Sequence, residues 1–167
     1  MTFNELLAAS VAEIEAAVAV TEDLRVRAMY GYLDATFGTF RNAVDLDGNT
    51  FDATGNAIPY APGDTVNLSF DWQHPIGESE LYARADWSYT GQQYFDSANN
   101  PSLEIQSFDL LNLRVGLAAS DRVGLSLRIT NLGGTRYADR ADYAFGDYRY
   151  FPGRGRAAFL EIGWKRD

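Results

Sequence analysis

The run Leu81-Tyr82-Ala83-Arg84-Ala85-Asp86-Trp87-Ser88-Tyr89 alternates without a break. Leu81, Ala83, Ala85, Trp87 and Tyr89 fall on one side of an extended chain; Tyr82, Arg84, Asp86 and Ser88 fall on the other. Successive side chains of a strand point to opposite faces, so this period of two predicts a strand with one apolar and one polar face. The pattern recurs upstream, where Val66, Leu68, Phe70 and Trp72 oppose Asn67, Ser69, Asp71 and Gln73, and where Leu24, Val26, Ala28, Tyr30 and Tyr32 oppose Arg25, Arg27, Met29 and Gly31. It recurs downstream at Leu111, Leu113, Val115 and Leu117, at Leu125, Leu127 and Ile129, and at Ala158, Leu160, Ile162 and Trp164. Residues 64–73, 80–90, 107–118, 122–132 and 155–164 are therefore expected as antiparallel neighbours in chain order.

The first twenty residues fit two periods. Ile14, Ala16, Val18 and Val20 alternate with Glu13, Glu15, Ala17 and Ala19, as in a strand over 12–20. Leu7, Val11, Ile14 and Val18 also make a helical stripe, and Thr2 and Glu5 have capping-box spacing. The strand is the preferred assignment, which brings the meander to about seven strands.

Composition narrows the function. A length of 167 residues is that of a single domain, 1–167. Fourteen basic residues against 23 acidic ones leave a formal charge of −9, the wrong sign for a nucleic-acid partner. With no cysteine and only His74 as histidine, disulfides, thiolate zinc sites and His-His metal sites are excluded. No cofactor, metal or catalytic residue is expected. Met1–Glu5 places no basic region ahead of an apolar run, so no signal sequence is expected in this chain. No run reaches the roughly 18 apolar residues of a membrane helix, but membrane strands need only about 9–11 alternating residues.

The connections separate those two cases. Short ones fall near Thr21-Glu22-Asp23, from His74 to Glu80, and from Ala119 to Arg122; long ones, rich in Gly, Asn, Asp and Pro, cover 38–63, 91–106 and 133–154. In an up-and-down meander they alternate, so the long loops share one rim and the short turns the other. Outer-membrane barrels have that asymmetry. Trp72 and Trp164 then lie towards the short-turn rim, and Trp87, Tyr89, Tyr30 and Tyr32 towards the long-loop rim, as two interfacial girdles. The fold class expected is all-β: an antiparallel up-and-down meander forming part of a transmembrane β-barrel wall, with outer-membrane lipid against its apolar face.

Ile129-Thr130-Asn131-Leu132-Gly133-Gly134-Thr135-Arg136-Tyr137 resembles the "NLFDxxY" signature of TonB-dependent outer-membrane receptors, and Phe151-Pro152-Gly153-Arg154 resembles the opening of their last strand. Tyr30-Gly31-Tyr32-Leu33-Asp34-Ala35-Thr36-Phe37, Asn56-Ala57-Ile58-Pro59-Tyr60-Ala61-Pro62, Tyr89-Thr90-Gly91 and Leu110-Leu111-Asn112-Leu113-Arg114-Val115-Gly116-Leu117 are similar to stretches of the same family, in the same order. The resemblance implies a wall segment from roughly the last third of a 22-strand barrel. It implies structural roles for Asn131, Leu132, Tyr137, Pro152 and Arg154. It further implies a Gram-negative cell outer membrane location and a small-molecule ligand such as an iron chelate. The partners implied are the rest of the barrel, a plug, and the TonB complex acting through that plug. A wall segment without the plug is expected to be unable to transport alone.

Other constellations carry less. Asp45-Leu46-Asp47-Gly48-Asn49 begins like a calcium loop but has Thr50 at the sixth place and Asn56 at the twelfth, and is read as a turn. His74 has no nucleophile elbow near it and is read as a rim residue. Arg140, Tyr143, Tyr148, Arg149 and Tyr150 lie in the last long loop, where arginines and aromatics can face an anionic ligand or fold on one another; the second is preferred. Arg84, Asp86, Arg114, Arg128 and Glu161 on the polar strand face are expected to pair across strands and set register. The alternative architecture is a self-contained barrel of about eight strands with a binding or structural role. An enzyme is the weakest expectation, because no acid–base pair or nucleophile stands out.

Overall fold

The structure, a computed structural model, describes residues 7–120 and 122–164. Thirteen strands are present among them. They are β1 (Leu7–Ala19), β2 (Leu24–Phe37), β3 (Ala43–Val44), β4 (Thr50–Phe51), β5 (Asp64–Ile76), β6 (Ser79–Thr90), β7 (Gln93–Tyr94), β8 (Glu104–Ile105), β9 (Phe108–Ala118), β10 (Val123–Thr130), β11 (Ala138–Ala144), β12 (Asp147–Pro152) and β13 (Ala157–Trp164). Seven of them form one antiparallel sheet in the order β1-β2-β5-β6-β9-β10-β13. The three remaining pairs, β3-β4, β7-β8 and β11-β12, are two-stranded ribbons within the three long connections.

The N-terminal ambiguity resolves as strand, and the strand starts earlier than expected, at Leu7. β1 pairs with β2 along its whole length, from Leu7 opposite Phe37 to Ala19 opposite Arg25. Alanine-rich sequence has little β-propensity of its own, so it is the β2 partner, with its aromatic and β-branched residues, that holds the segment extended. The capping-box pair Thr2 and Glu5 lies outside the described residues. A second boundary shifts at the β5–β6 turn. His74, Pro75 and Ile76, expected in the connection, continue β5 and face Leu81, Glu80 and Ser79. That leaves a two-residue turn, Gly77-Glu78, with Gly77 at φ +62°, where glycine carries no Cβ penalty.

The register puts the apolar residues on one face. Leu24, Trp72, Ala83, Val115, Leu127 and Leu160 form one continuous row across six strands. Leu160 is 70% exposed and Leu127 is also exposed; Leu68 and Leu113 are half-buried beside Trp87 and Ile129 of the adjoining strands. Trp72, Trp87 and Trp164 all share this face by parity. Buried hydrophobic residues among the described ones are Ala43, Ala53, Phe95, Leu103, Ile105 and Ala141, every one of them outside the seven-stranded sheet. The chain's accessible surface is 11321 Å², against about 8,200 Å² for a soluble globular protein of 18.5 kDa. The sheet therefore has no hydrophobic core of its own to stand on.

The sheet does not close. Among the described residues β1 pairs only with β2, and β13 only with β10. A self-contained eight-strand barrel needs a ladder joining first and last strands, and none is present.

Candidate functional site

The polar face carries a charge network at mid-strand. Asp71, Arg84, Arg114 and Arg128 stand in one register row. Three arginines thus face one another directly, where opposite charges had been expected. Like charges opposite one another repel. Carboxylates set beside the row offset this. Arg84 donates to Asp86 on its own strand at 2.7 Å and to Asp71 on β5 at 3.0 Å. Glu161 serves both other arginines, Arg114 at 3.0 Å and Arg128 at 3.0 Å. Arg27 adds a contact to Asp71 at 3.5 Å, and Ser69 donates to Asp86 at 2.7 Å. These groups are a quarter to a half exposed, so solvent screens each pair. The network fixes register more than it adds stability.

Asn131 organises the rim above this network. It is 3% exposed and sits at φ +49°, a left-handed conformation that asparagine tolerates better than most residues. Its side chain donates to the carbonyls of Thr135 at 2.8 Å and Arg154 at 3.1 Å, and accepts from the Thr135 amide at 2.9 Å. Its own amide donates to Asn112 Oδ1 at 3.0 Å. One side chain therefore ties the exit of β10 to the entry of β13. Leu132 extends the tie by donating its amide to the Leu111 carbonyl at 2.7 Å. Tyr137 stacks on Phe108 with centroids 4.4 Å apart, and Gly153 lies so close beneath that a Cβ there would stand 2.1 Å from the tyrosine ring. Pro152 ends β12 opposite Ala138, at a position where no amide donor is required of it. Sequence reasoning passed over Asn112 and Phe108. Their signal was only that each lies on the polar face of β9.

The last long connection is a hairpin rather than an open loop. β11 and β12 pair through a turn at Phe145 (φ +57°) and Gly146 (φ +87°), which leaves the Phe145 ring 98% exposed at the tip. Arg140 packs over Phe151 at 4.2 Å, and Arg149 donates to Asp142 at 2.8 Å. Tyr143 and Tyr148 meet with centroids 5.1 Å apart. Tyr148 accepts from Asn100 at 3.2 Å, and Tyr150 donates to the Ser102 carbonyl. Ala141 is buried with Phe95, Leu103 and Ile105, so the hairpin docks on the second long loop. The first long loop is pinned to the second in turn: Asn99 accepts from the Ala57 amide at 2.7 Å and donates to its carbonyl at 2.9 Å. The five residues share one hairpin, but only Tyr143 and Tyr148 touch each other; Arg140, Arg149 and Tyr150 are engaged by Phe151, Asp142 and Ser102.

Beneath the hairpin, on the polar face, lies an open cavity of about 530 Å³ lined by Asn112, Arg128, Asn131, Tyr137, Arg154, Arg156 and Phe159, among others. Elsewhere, His74 Nδ1 is hydrogen-bonded to the Asp23 carboxylate at 2.7 Å, and its ring stacks on Trp72 at the opposite rim. Asp45 accepts from the amides of Asn49 at 2.8 Å and Asp47 at 3.0 Å, and these bonds hold its carboxyl below the usual carboxylate value. Asp52 is lowered likewise by Thr54. No group of three or more His, Cys, Asp or Glu side chains that could hold a metal ion occurs among the described residues.

Residues 12–132 match the family model described as TonB dependent receptor-like, beta-barrel. The ferric yersiniabactin uptake receptor FyuA from Yersinia pestis superimposes with a TM-score of 0.78 at 19% identity, over 93% of this chain and 23% of that one. The siderophore receptor PiuA from Acinetobacter baumannii gives 0.68 at 22% identity, over 93% and 22%. The ferric-catecholate import receptor Fiu from E. coli gives 0.61 at 24% identity, over 90% and 19%. This chain spans about a quarter or less of the length of those receptors. A family match across most of the chain, an open seven-stranded wall and an apolar face with no core beneath it agree: the chain belongs to the TonB-dependent receptor-like β-barrel family.

Proposed function

We propose that this chain is one sector of the wall of a TonB-dependent outer-membrane receptor, with its apolar face against lipid and its charged face towards the lumen. The observation that carries this reading is that, among the described residues, every buried hydrophobic one lies outside the main sheet. A bilayer supplies what a core would otherwise supply. The two open edges, on β1 and β13, are where the rest of the barrel joins, and unpaired edges left exposed recruit other strands. The lumen receives a plug, and uptake of a ligand such as an iron chelate is driven by the TonB complex through that plug. On this reading the residues described supply wall and outer loops, and uptake needs the plug as well. Asn131, Leu132, Tyr137, Pro152 and Arg154 hold the rim together, while Arg140, Tyr143, Tyr148, Arg149 and Tyr150 form the outer hairpin that a ligand meets first.

All three tryptophans lie on the apolar face, which gives a direct test. Reconstituted into vesicles with brominated acyl chains, the chain loses most of its tryptophan emission relative to unbrominated vesicles. Unquenched emission overturns the wall reading. For uptake, cells deprived of the receptor that contains this sector should accumulate less radioactive iron from a ferric chelate; undiminished accumulation of every chelate tried removes the iron assignment.

A further inference from the structure

β1 stands apart from the rest of the sheet in what its charges meet. Glu13 and Glu15 are exposed on the polar face, two residues apart. On β2 they stand opposite Gly31 and Met29, and neither of those carries charge. Arg27, the next β2 residue along that face, stands opposite Ala17 and reaches away to Asp71 on β5 at 3.5 Å. Neither glutamate makes a hydrogen bond or ion pair with a described residue. By contrast, Asp71, Asp86 and Glu161 each take an arginine from the sheet itself at 3.0 Å or closer. β1 is also an open edge: among the described residues its one neighbour is β2, although its alanine-rich sequence depends on neighbours to stay extended.

We infer that the open edge of β1 is a docking surface for an amphipathic strand with two basic residues at alternate positions on its lumen-facing side, set against Glu13 and Glu15. The inference rests on the wall reading and says which strand the wall accepts there. Directly opposed side chains of an antiparallel pair lie about 5 Å apart, close enough for two ion pairs to favour one strand, and one register of it, over others. The strand's other side is apolar, because Ile14, Ala16 and Val18 share the lipid face of β1. A second copy of this chain does not fit. Seven antiparallel strands leave β1 and β13 running the same way, so β13 of a copy in the same membrane orientation would lie parallel to β1. It would also offer Phe159 and Glu161 on the lumen side rather than cations. A second β1 brings only two more glutamates. A plug in the lumen is the other source of cations; the lateral pairing of Asp71, Asp86 and Glu161 within the wall favours the strand.

The test is fluorescence anisotropy of labelled strand peptides titrated with the full chain in detergent micelles. Three peptides of about eleven residues alternate valine with threonine, and the two central threonines are kept, or replaced by lysine, or replaced by glutamate. The lysine peptide binds saturably and about tenfold more tightly than the glutamate peptide, with the threonine peptide between them. E13Q/E15Q brings the three affinities together, and E13K/E15K reverses the order. Both glutamates are exposed and unbonded, so these variants keep the parent's circular dichroism. Equal binding of the three peptides to the parent overturns the proposal, since the backbone edge then recruits any strand. A lysine preference that survives in E13K/E15K overturns it too, because the lysines then sit elsewhere on the wall. So does self-association of the parent that excludes the lysine peptide, which makes a second copy the occupant. Absence of saturable binding by any peptide also overturns it and leaves the glutamates to a plug. If tryptophan quenching in brominated vesicles persists in that case, only the docking surface is wrong; if quenching fails as well, the wall reading fails with it.

Discussion

Replacing Asn131 with alanine removes three side-chain hydrogen bonds at once, to the Thr135 carbonyl, the Thr135 amide and the Arg154 carbonyl. A typical internal hydrogen bond contributes about 1 kcal/mol net, and at 3% exposure no water replaces the lost partner. The backbone adds a second cost. Alanine at φ +49° pays about 1 kcal/mol for the left-handed conformation, whereas glycine pays almost nothing there. N131A is therefore expected to lose about 4 kcal/mol and N131G about 3 kcal/mol. Urea unfolding in detergent micelles, followed by tryptophan fluorescence, measures both. The midpoint falls in the order parent, N131G, N131A, with the denaturant slope unchanged. A loss below about 0.5 kcal/mol in N131A refutes the claim that this side chain ties β10 to β13. Equal losses in the two variants refute the backbone component.

Leu160 is 70% exposed, so on a soluble surface L160R would be nearly neutral. Against lipid it is expected to cost about 2–4 kcal/mol, read as the difference between unfolding in vesicles and the parent under the same conditions. E161Q leaves Arg114 and Arg128 facing each other without their shared carboxylate, and is expected to lower the urea midpoint slightly, a loss that shrinks as salt is raised. Asp45 titrates below its ordinary 3.8 because the Asn49 and Asp47 amides bind its ionised form. A depressed native value means the stabilisation is complete above the unfolded value and is lost as pH falls through the lower native one. Hydrogen exchange at the Asp47 and Asn49 amides should therefore stay slow at pH 5 relative to D45A, and that protection should vanish only below 3.8.

The main sheet was legible because its two faces meet different surroundings. Wherever one side of a strand is apolar and the other charged, as along Leu81–Tyr89, a period of two is written into the chain and fixes the face each residue takes. β1 was harder for the same reason. Its residues are mostly alanine, small enough to fit a helix or a strand, and only pairing with β2 decides between them. The alternating lengths of the connections separated the two rims, yet the ribbons inside the long loops were missed. β3-β4 and β7-β8 are two residues a strand, too short for any periodicity. The β11-β12 hairpin did carry a signal, Phe145-Gly146 flanked by alternating tyrosines, which the density of arginines and aromatics obscured. At the rim, the motif residues pointed to Asn131 but not to Asn112, because a bond between a loop and a strand 19 residues away has no local signature. The three facing arginines were likewise out of reach. Which strands neighbour one another was foreseen; the stagger between them, which decides who faces whom, is a property of the folded sheet.

The central claim is that lipid covers one face of this sheet and water the other. The chain has no cysteine, so single cysteines can be placed in turn at residues 111–117 of β9 and spin-labelled in reconstituted vesicles. Collisions with molecular oxygen, which concentrates in lipid, should peak at Leu111, Leu113, Val115 and Leu117. Collisions with a water-soluble nickel chelate should peak at Asn112, Arg114 and Gly116. The two profiles should be out of phase with a period of two along the whole strand. Chelate access at the four apolar positions equal to that at the polar ones would mean that water bathes both faces, and would contradict the account.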